Sequence, residues 1–121
     1  LNLFATKEEL SIVADQFGQP TNANDLAEAI MKIIKSEKIT PGIFNFSNLG
    51  RISWFDFAEK IAELSEAKIK LNAIETSQYP TPAKRPKNSV LDLDKISKTY
   101  AIQLKPWEES LEGCVQILQN N

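Results

Sequence analysis

Residues 53–64, with the sequence SWFDFAEKIAEL, form the best-specified secondary-structure element of this chain. Ser53 followed by an acidic residue at position 56 is a capping-box pattern, which predicts the first turn of a helix. Apolar residues at helical spacing then predict the stripe that faces the core, namely Trp54, Phe57, Ala58, Ile61 and Leu64. Trp54 is therefore expected to pack in the core and not to stack on a ligand.

Further helices and short strands are predicted on both sides of this element. Asn22 caps a helix that runs to about Ser36, whose inward face is expected to consist of Leu26, Ala27, Ile30, Ile33 and Ile34. Short apolar or alternating runs predict strands at residues 12–14, 43–46 and 69–74. Two helices complete the chain. Asp92 caps the first, with Leu93, Ile96 and Tyr100 inward, and Pro106 opens the second, with Trp107, Leu111, Cys114, Val115 and Leu118 inward.

The start of the chain differs from the other helical segments. Residues 1–10 contain apolar side chains but no capping signal, so we expect the tail of a helix whose first turns are missing. Residues 1–121 otherwise predict one α/β domain with few strands and strongly apolar helices. Such a domain is expected to pack against a partner.

Composition excludes several functional classes. The 14 basic and 16 acidic side chains give a net charge of −2, which provides no electrostatic footprint for nucleic acid or an anionic membrane. No apolar run approaches the roughly 20 residues of a membrane span, so a cytoplasmic location is expected. The chain has no histidine, which removes the usual catalytic triad and most zinc sites. Cys114, the one cysteine, is expected to be a small buried hydrophobe.

Residues 79–89, with the sequence YPTPAKRPKNS, cannot form a helix or a regular strand. Three prolines restrict the backbone of this loop, so it loses little conformational entropy when a ligand binds. Arg85 is the favoured ligand-binding residue, because its planar guanidinium can pair with phosphate or carboxylate oxygens two at a time. The alternative is a solvated connecting loop with ordinary surface charges.

Tests against mechanistic motifs give negative results. The four glycines are too dispersed for a Walker loop or a GxGxxG dinucleotide motif. Most carboxylates fall in helical or cap positions. Asp15, which follows a predicted strand, is expected to hydrogen-bond the Gly-Pro turn at residues 18–20.

The chain resembles, over nearly its whole length, the C-terminal part of the dTDP-4-dehydrorhamnose reductases, a family of extended short-chain dehydrogenase/reductases. The resemblance rests on ordered blocks: Asp15-Gln16-x-Gly18-x-Pro20-Thr21, Asp25-Leu26-Ala27, Gly42-Ile43-Phe44-Asn45, Gly50-x-x-Ser53-Trp54-x-Asp56-Phe57-Ala58, Tyr79-Pro80-Thr81-Pro82-Ala83-x-Arg85-Pro86-x-Asn88-Ser89-x-Leu91 and Pro106-Trp107-x-x-x-Leu111. The block from Tyr79 to Ser89 is the most specific. It implies an α/β substrate-binding subdomain with a few short strands and about four helices, without the Rossmann core.

The resemblance also implies a function. The intact family members reduce the 4-keto group of dTDP-4-dehydro-L-rhamnose with NADPH or NADH, giving dTDP-L-rhamnose for polysaccharides. Neither tyrosine of this chain begins the family's Tyr-x-x-x-Lys pair, so residues 1–121 are expected to be a C-terminal nucleotide-sugar-binding domain, inactive alone and without catalytic, cofactor or metal residues. The expected substrate-binding residues are Arg85, which matches a diphosphate-binding arginine in related enzymes, with Asn88, Ser89, Gln16 and Gly18. The expected partners are the dTDP-sugar and an N-terminal Rossmann domain, and a homodimer of the full-length enzyme stays open.

Two alternatives belong to other classes. The regulatory subunit of methionine adenosyltransferase is similar to this family, so the chain could belong to a non-catalytic regulatory protein. It could also be a naturally short interaction module, although exposed remains of a domain interface would then favour aggregation without benefit.

Overall fold

The computed structural model describes residues 1–37 and 39–120. Within these residues the helices and strands follow in the order α1 (Asn2–Thr6), β1 (Glu9–Val13), β2 (Phe17–Gly18), α2 (Ala23–Ile34), β3 (Ile52–Ser53), α3 (Trp54–Leu64), β4 (Lys70–Ile74), a 3-10 turn (Thr76–Gln78), α4 (Asp94–Tyr100) and α5 (Trp107–Gln119). This is the predicted small α/β fold with few strands. None of the described helices is long and apolar enough to cross a membrane.

The strands form two small sheets that place later loops side by side. β1 pairs in parallel with β4, with Glu9 opposite Lys70 and Val13 opposite Ile74. Because the strands are parallel, their carboxyl ends meet at one edge, where residues 15–16 and the 3-10 turn follow. β2 pairs antiparallel with β3, which leads directly into α3.

The capping box predicted for α3 is present. The Ser53 hydroxyl accepts a hydrogen bond from the backbone N–H of Asp56 at 3.1 Å, and the Asp56 carboxylate accepts one from the N–H of Ser53 at 3.0 Å. Trp54, however, is 58% exposed, so the prediction that it packs in the core is wrong. Ala58 is buried and Phe57 packs on the core, but no other described element covers the side of the first turn that carries Trp54.

Two hydrophobic clusters stabilise the domain. The α2–α4 cluster consists of buried Ala29, Ile96, Tyr100 and Ile102, against which Ile33, Phe44, Phe46 and Leu104 pack. The α3–α5 cluster consists of buried Trp107, Leu111 and Val115, against which Ile52, Phe57, Ile61 and Leu64 pack. In the second cluster the rings of Phe57 and Trp107 meet edge to face, with centroids 5.9 Å apart.

A buried polar cluster, defined by Asp25 and Asn48 with half-buried Lys105 and Ser110 at its border, joins the N-terminus of α2 to α5. Asn48 is 1% exposed, and its amide nitrogen donates to the Asp25 carboxylate at 2.7 Å and to the Ser110 hydroxyl at 2.9 Å. The Asn48 amide oxygen accepts from the backbone N–H of Asn22 at 2.8 Å. The Lys105 ammonium lies 2.8 Å from the Asp25 carboxylate. Both polar groups of the Asn48 side chain therefore have partners, as burial requires.

Gly50 lets the chain pass closely over Trp107. Its φ of +111° lies in a region that favours glycine, and a Cβ atom there would stand 2.4 Å from Cδ1 of the Trp107 ring. The backbone of Leu49 meanwhile accepts from the N–H of Trp107 at 3.0 Å. A side chain at position 50 would separate this loop from the start of α5.

The cap of α2 is confirmed, but the face it buries differs from the prediction. The Asn22 side chain accepts from the N–H groups of Asn24 and Asp25. The helix packs through buried Asp25 and Ala29 and half-buried Ile33, whereas the other predicted core residues are exposed, namely Leu26, Ala27, Ile30 and Ile34. The polar contacts of Asp25 rotate the helix by about one residue, roughly 100°.

Residues 43–46 show the predicted alternation without forming a strand. Phe44 and Phe46 pack on the α2–α4 cluster, while Ile43 is 86% exposed. In the described part of the chain, no backbone–backbone hydrogen bond involves these residues, so a ladder partner is missing.

Other boundaries also shift. The expected helical tail at residues 1–10 ends at Thr6, because Glu9 and Leu10 pair with β4. Asp92 accepts from the N–H of Asp94, but α4 begins after Leu93, which occupies the cap position. On α5, Trp107, Leu111 and Val115 are buried as expected, whereas Cys114, expected to be buried, is only half-buried. Leu118 is 58% exposed because it lies beyond the α3–α5 cluster.

Candidate ligand-binding cleft

The carboxyl-terminal half of β1 and the loop at residues 79–89 border a cleft of about 540 Å³. The cleft combines a cation, two aromatic rings and several neutral polar groups. Its lining is formed by Ser11, Ile12, Val13, Gln16, Trp54, Tyr79, Thr81 and Arg85. A site with this composition can hold an anionic group and a planar or sugar-like group together.

The N-terminal end of the loop 79–89 is held in place by residues that follow β1. The Asp15 carboxylate accepts hydrogen bonds from Thr76, from its backbone N–H at 2.9 Å and from its hydroxyl at 2.6 Å. The Gln16 amide donates to the same hydroxyl at 3.0 Å. These bonds from Thr76 hold the pKa of Asp15 below its ordinary value. Asp15 was expected to bond the turn at residues 18–20. That expectation is wrong, because the parallel register brings Thr76 beside it.

The C-terminal end of the loop is hydrogen-bonded to β2. The backbone N–H of Phe17 donates to the carbonyl of Lys87 at 2.9 Å, and the N–H of Ser89 donates to the carbonyl of Phe17 at 2.9 Å. Two residues further on, the N–H of Leu91 donates to the side chain of Gln19 at 2.8 Å. The prolines and both anchors therefore restrict a loop whose side chains are all exposed.

Arg85 lies in the stretch between the two anchors and lines the cleft. Among the described residues no hydrogen-bond or ion-pair partner engages its guanidinium. Five N–H donors on a restrained loop are thus available to an anion that enters the cleft.

The sequence analysis missed both aromatic residues of the cleft. Trp54 and Tyr79 are each 58% exposed and line the same cleft as Arg85. Tyr79 opens the proline-rich loop, so its proximity to Arg85 in sequence was a signal. For Trp54 the sequence contains no such signal, since its helical spacing matches the core residues.

Gly18, Ser89 and Asn88 serve the loop's attachment. A Cβ atom on Gly18 would stand 2.9 Å from the Ser89 hydroxyl, which itself donates to the carbonyl of Phe17 at 3.2 Å. Asn88 bridges to Phe17 and accepts from the Arg51 side chain at 3.4 Å. Gly18 and Ser89 line a smaller neighbouring cavity of about 150 Å³. Of the five predicted residues, the structure brings only Gln16 and Arg85 into the main cleft.

Arg51 is a cation that sequence reasoning did not single out. Its guanidinium carbon lies 3.7 Å from the centroid of the Phe17 ring, a cation–π contact. This arginine supports β2 and the end of the loop. Among the described residues, no group of three or more His, Cys, Asp or Glu side chains could hold a metal ion.

The fold and the cleft define a small α/β ligand-binding domain. The model of the RmlD substrate binding domain family matches residues 1–120, and the chain belongs to that family. It matches the substrate-binding part of dTDP-4-dehydrorhamnose reductases.

Relatives and solved structures agree with this assignment. A dTDP-4-dehydrorhamnose reductase of Sinorhizobium fredii is 41% identical over 127 residues, covering 98% of this chain and 43% of that protein. The crystal structure of a reductase from Clostridium acetobutylicum superposes with a TM-score of 0.88 at 37% identity, covering 98% of this chain and 41% of that one. One from Bacillus anthracis, in complex with NADP, gives 0.86 at 36% identity and covers 92% and 39%. The chain thus spans about two fifths of the length of these relatives.

Proposed function

We propose that this chain is the nucleotide-sugar-binding part of an enzyme that reduces the 4-keto group of dTDP-4-dehydro-L-rhamnose to give dTDP-L-rhamnose. The observation that carries the proposal is the position of Arg85, available on a restrained loop in a cleft at the strand ends. Ligands of α/β proteins commonly bind beside the carboxyl ends of strands. The family supplies the class of ligand.

Arg85 binds the diphosphate of the substrate. Two adjacent phosphates offer oxygens that the planar guanidinium can engage in pairs, and the charge of arginine persists at every physiological pH. The anchors at Thr76 and Phe17 hold the loop before the ligand arrives, so little entropy is lost on binding.

Trp54 and Tyr79 contact the less polar parts of the substrate. Their rings border the cleft and offer flat apolar surfaces to the thymine base or to a sugar face. Gln16 is a weaker contributor, because its amide nitrogen already donates to Thr76 and its amide oxygen is the group left to accept from a sugar hydroxyl.

The nicotinamide cofactor is held by the remainder of the enzyme. The connection from β2 to α2 contains Pro20 and no glycine, and the first N–H groups of α2 are taken by the Asn22 side chain. A dinucleotide phosphate needs a glycine-rich turn with free N–H groups at a helix start, so this chain does not fit the cofactor. We therefore assign NADPH or NADH, and the catalytic Tyr-x-x-x-Lys pair, to an N-terminal Rossmann domain.

The regulatory alternative is not proposed, since no observation favours it. The cytoplasmic location and a homodimer stay predictions.

The first experiment replaces Arg85 with alanine in the full-length enzyme. We expect the KM for the dTDP-sugar to rise by about tenfold or more, since loss of a charge-assisted hydrogen-bonded pair costs about 1.5–3 kcal/mol. The KM for the nicotinamide cofactor should change less than about twofold. Lys84→Ala is the matched control, because it removes a neighbouring charge that does not line the cleft. Equal effects on both substrates, or none, would contradict the assignment.

The second experiment uses this 121-residue chain alone. Calorimetric titration with dTDP should give weak binding that Arg85→Ala removes and Lys84→Ala preserves. The chain should not oxidise NADPH in the presence of the dTDP-sugar. Measurable oxidation of NADPH would contradict the assignment of the cofactor and the catalytic pair to the rest of the enzyme.

A further inference from the structure

Both ends of the proline-rich loop, residues 79–89, are held by one short segment that follows β1. This segment consists of residues 15–17 and is called the clip below. The side chains of its first two residues hydrogen-bond Thr76, just before the loop. Its third residue bonds Lys87 and Ser89 through the backbone, at the far end of the loop. Because both ends are tied to three consecutive residues, the clip sets where the whole loop lies beside the cleft.

The contact between Asp15 and Thr76 continues into the loop through a restrained backbone. The carbonyl of Thr76 accepts from the N–H of Tyr79 at 3.1 Å, which closes the 3-10 turn. Three prolines then restrict the backbone from Tyr79 to beyond Arg85. A displacement of Thr76 is therefore passed on to Arg85, which lines the cleft.

The carboxylate of Asp15 does not line the cleft, although its neighbour Gln16 does. Hydrogen bonds from Thr76 lower the pKa of Asp15, and the positive charge of Lys87 lowers it as well, so the carboxylate is ionised at neutral pH. A negative charge one residue from a site for phosphate repels the ligand. The place of Asp15 is thus explained by the bonds that it makes within the protein and not by contact with an anion.

We infer that Asp15 is a positioning residue for Arg85. Through Thr76 it holds the loop where the guanidinium of Arg85 can engage two phosphate groups at once. Such paired contacts depend on geometry, so a small shift of the loop weakens them strongly. The alternative is a role in fold stability alone, which would leave recognition of the diphosphate unchanged. The inference rests on the proposed function, because Arg85 is the group that Asp15 positions.

The test compares Asp15→Ala with Asp15→Asn in the full-length enzyme. Alanine removes the acceptor of both bonds from Thr76, whereas asparagine keeps a carbonyl oxygen there and loses only the charge. Asp15→Ala should raise the KM for the dTDP-sugar about fivefold or more, and Asp15→Asn should keep it within about twofold of the wild type. The KM for the nicotinamide cofactor should stay within about twofold in both variants.

Glu9→Ala is the matched control. The Glu9 carboxylate also joins β1 to β4, by a hydrogen bond from Asn72 at 3.1 Å and an ion pair with Lys70 at 3.4 Å, but it lies at the opposite end of the strand pair. Its removal should change neither KM by more than about twofold. A rise in the KM for the dTDP-sugar equal to that of Asp15→Ala would show a general effect of weakening the sheet and would overturn the inference.

Asp15→Ala is also introduced into the Arg85→Ala enzyme. If Asp15 acts through Arg85, the added substitution should change the KM for the dTDP-sugar less than about twofold in that background. An effect of the same size in both backgrounds would overturn the inference. So would an Asp15→Asn enzyme as impaired as Asp15→Ala.

Trypsin cleavage of the 121-residue chain after Lys84 reports on the loop without any ligand. Cleavage requires local opening, so Asp15→Ala should accelerate it several-fold and Asp15→Asn should not. An unchanged rate in Asp15→Ala would overturn the role of the clip, whatever the kinetics. Faster cleavage combined with an unaltered KM in Arg85→Ala would instead show that the clip holds the loop and that the proposed function is wrong.

Discussion

The buried polar cluster around Asn48 and the open cleft around Arg85 are both built from polar side chains, but they differ in whether those side chains have partners. Asn48 engages Asp25, Ser110 and the backbone of Asn22 at 1% exposure. Arg85 is exposed, and none of the described residues engages it. A polar group with protein partners stabilises the fold, whereas one without them is available to a ligand. Substitutions can test this contrast.

The largest expected effect is that of Asn48→Ala on stability. It should lower the free energy of unfolding by about 3 kcal/mol, because it leaves the N–H of Asn22 and part of the Asp25 carboxylate buried without a partner. Urea denaturation measures this loss. Asn45→Ala is the control, since the side chain of that exposed asparagine makes a single hydrogen bond with the described residues, to the carbonyl of Asp92. Equal losses in the free energy of unfolding for the two variants would contradict the distinction between buried and exposed polar groups.

The second effect is a dependence of stability on pH. Burial alone would raise the pKa of Asp25, but hydrogen bonds from Lys105, Ser110 and Asn48 outweigh it and hold the pKa below its ordinary value. The unfolded chain therefore binds the proton more readily, so this contribution is present above the unfolded pKa of about 3.9 and is lost as pH falls through the folded pKa.

Asp25→Asn should remove that dependence. We expect a loss of about 1–2 kcal/mol at neutral pH that shrinks as the solution is acidified, since the wild type then loses the same ionic contacts. Thermal melting of both proteins from pH 7 to pH 3 measures it. A constant difference across this range would contradict the role given to the charge of Asp25.

The smallest effect on stability is expected for Arg85→Ala. The free energy of unfolding should change by less than about 0.5 kcal/mol, because the side chain has no hydrogen-bond or ion-pair partner among the described residues and the loop keeps its anchors at Thr76 and Phe17. The same variant should lose dTDP binding. If Arg85→Ala destabilised the protein, Arg85 would have a structural role. That result would contradict our proposal that its guanidinium is available to a ligand.

Local chemistry explains the predictions that were confirmed. The cap residues Asn22 and Ser53 act on N–H groups two or three residues away, so their partners could be recognised from spacing. The inward residues of α4 and most of those of α5 followed from helical periodicity.

The predictions that were wrong concern which faces of the helices and strands are covered by other elements. Trp54 and the stripe from Leu26 to Ile34 have the spacing of core residues but are exposed. Residues 43–46 alternate like a strand but lack a partner among the described residues. Periodicity defines a face of an element and not what packs against it, which explains why these predictions failed.

The sequence by itself determined the starts of α2 and α3, the proline-restricted loop and the guanidinium at position 85, because each depends on covalent structure or on neighbours within a few residues. Only the tertiary structure decided that Thr76 anchors the loop, that Asn48 is the centre of a buried cluster, and that Trp54 and Tyr79 border one cleft. These arrangements join residues from distant parts of the chain. The parallel register of β1 with β4 and the packing of the helices set them, and sequence spacing does not encode them.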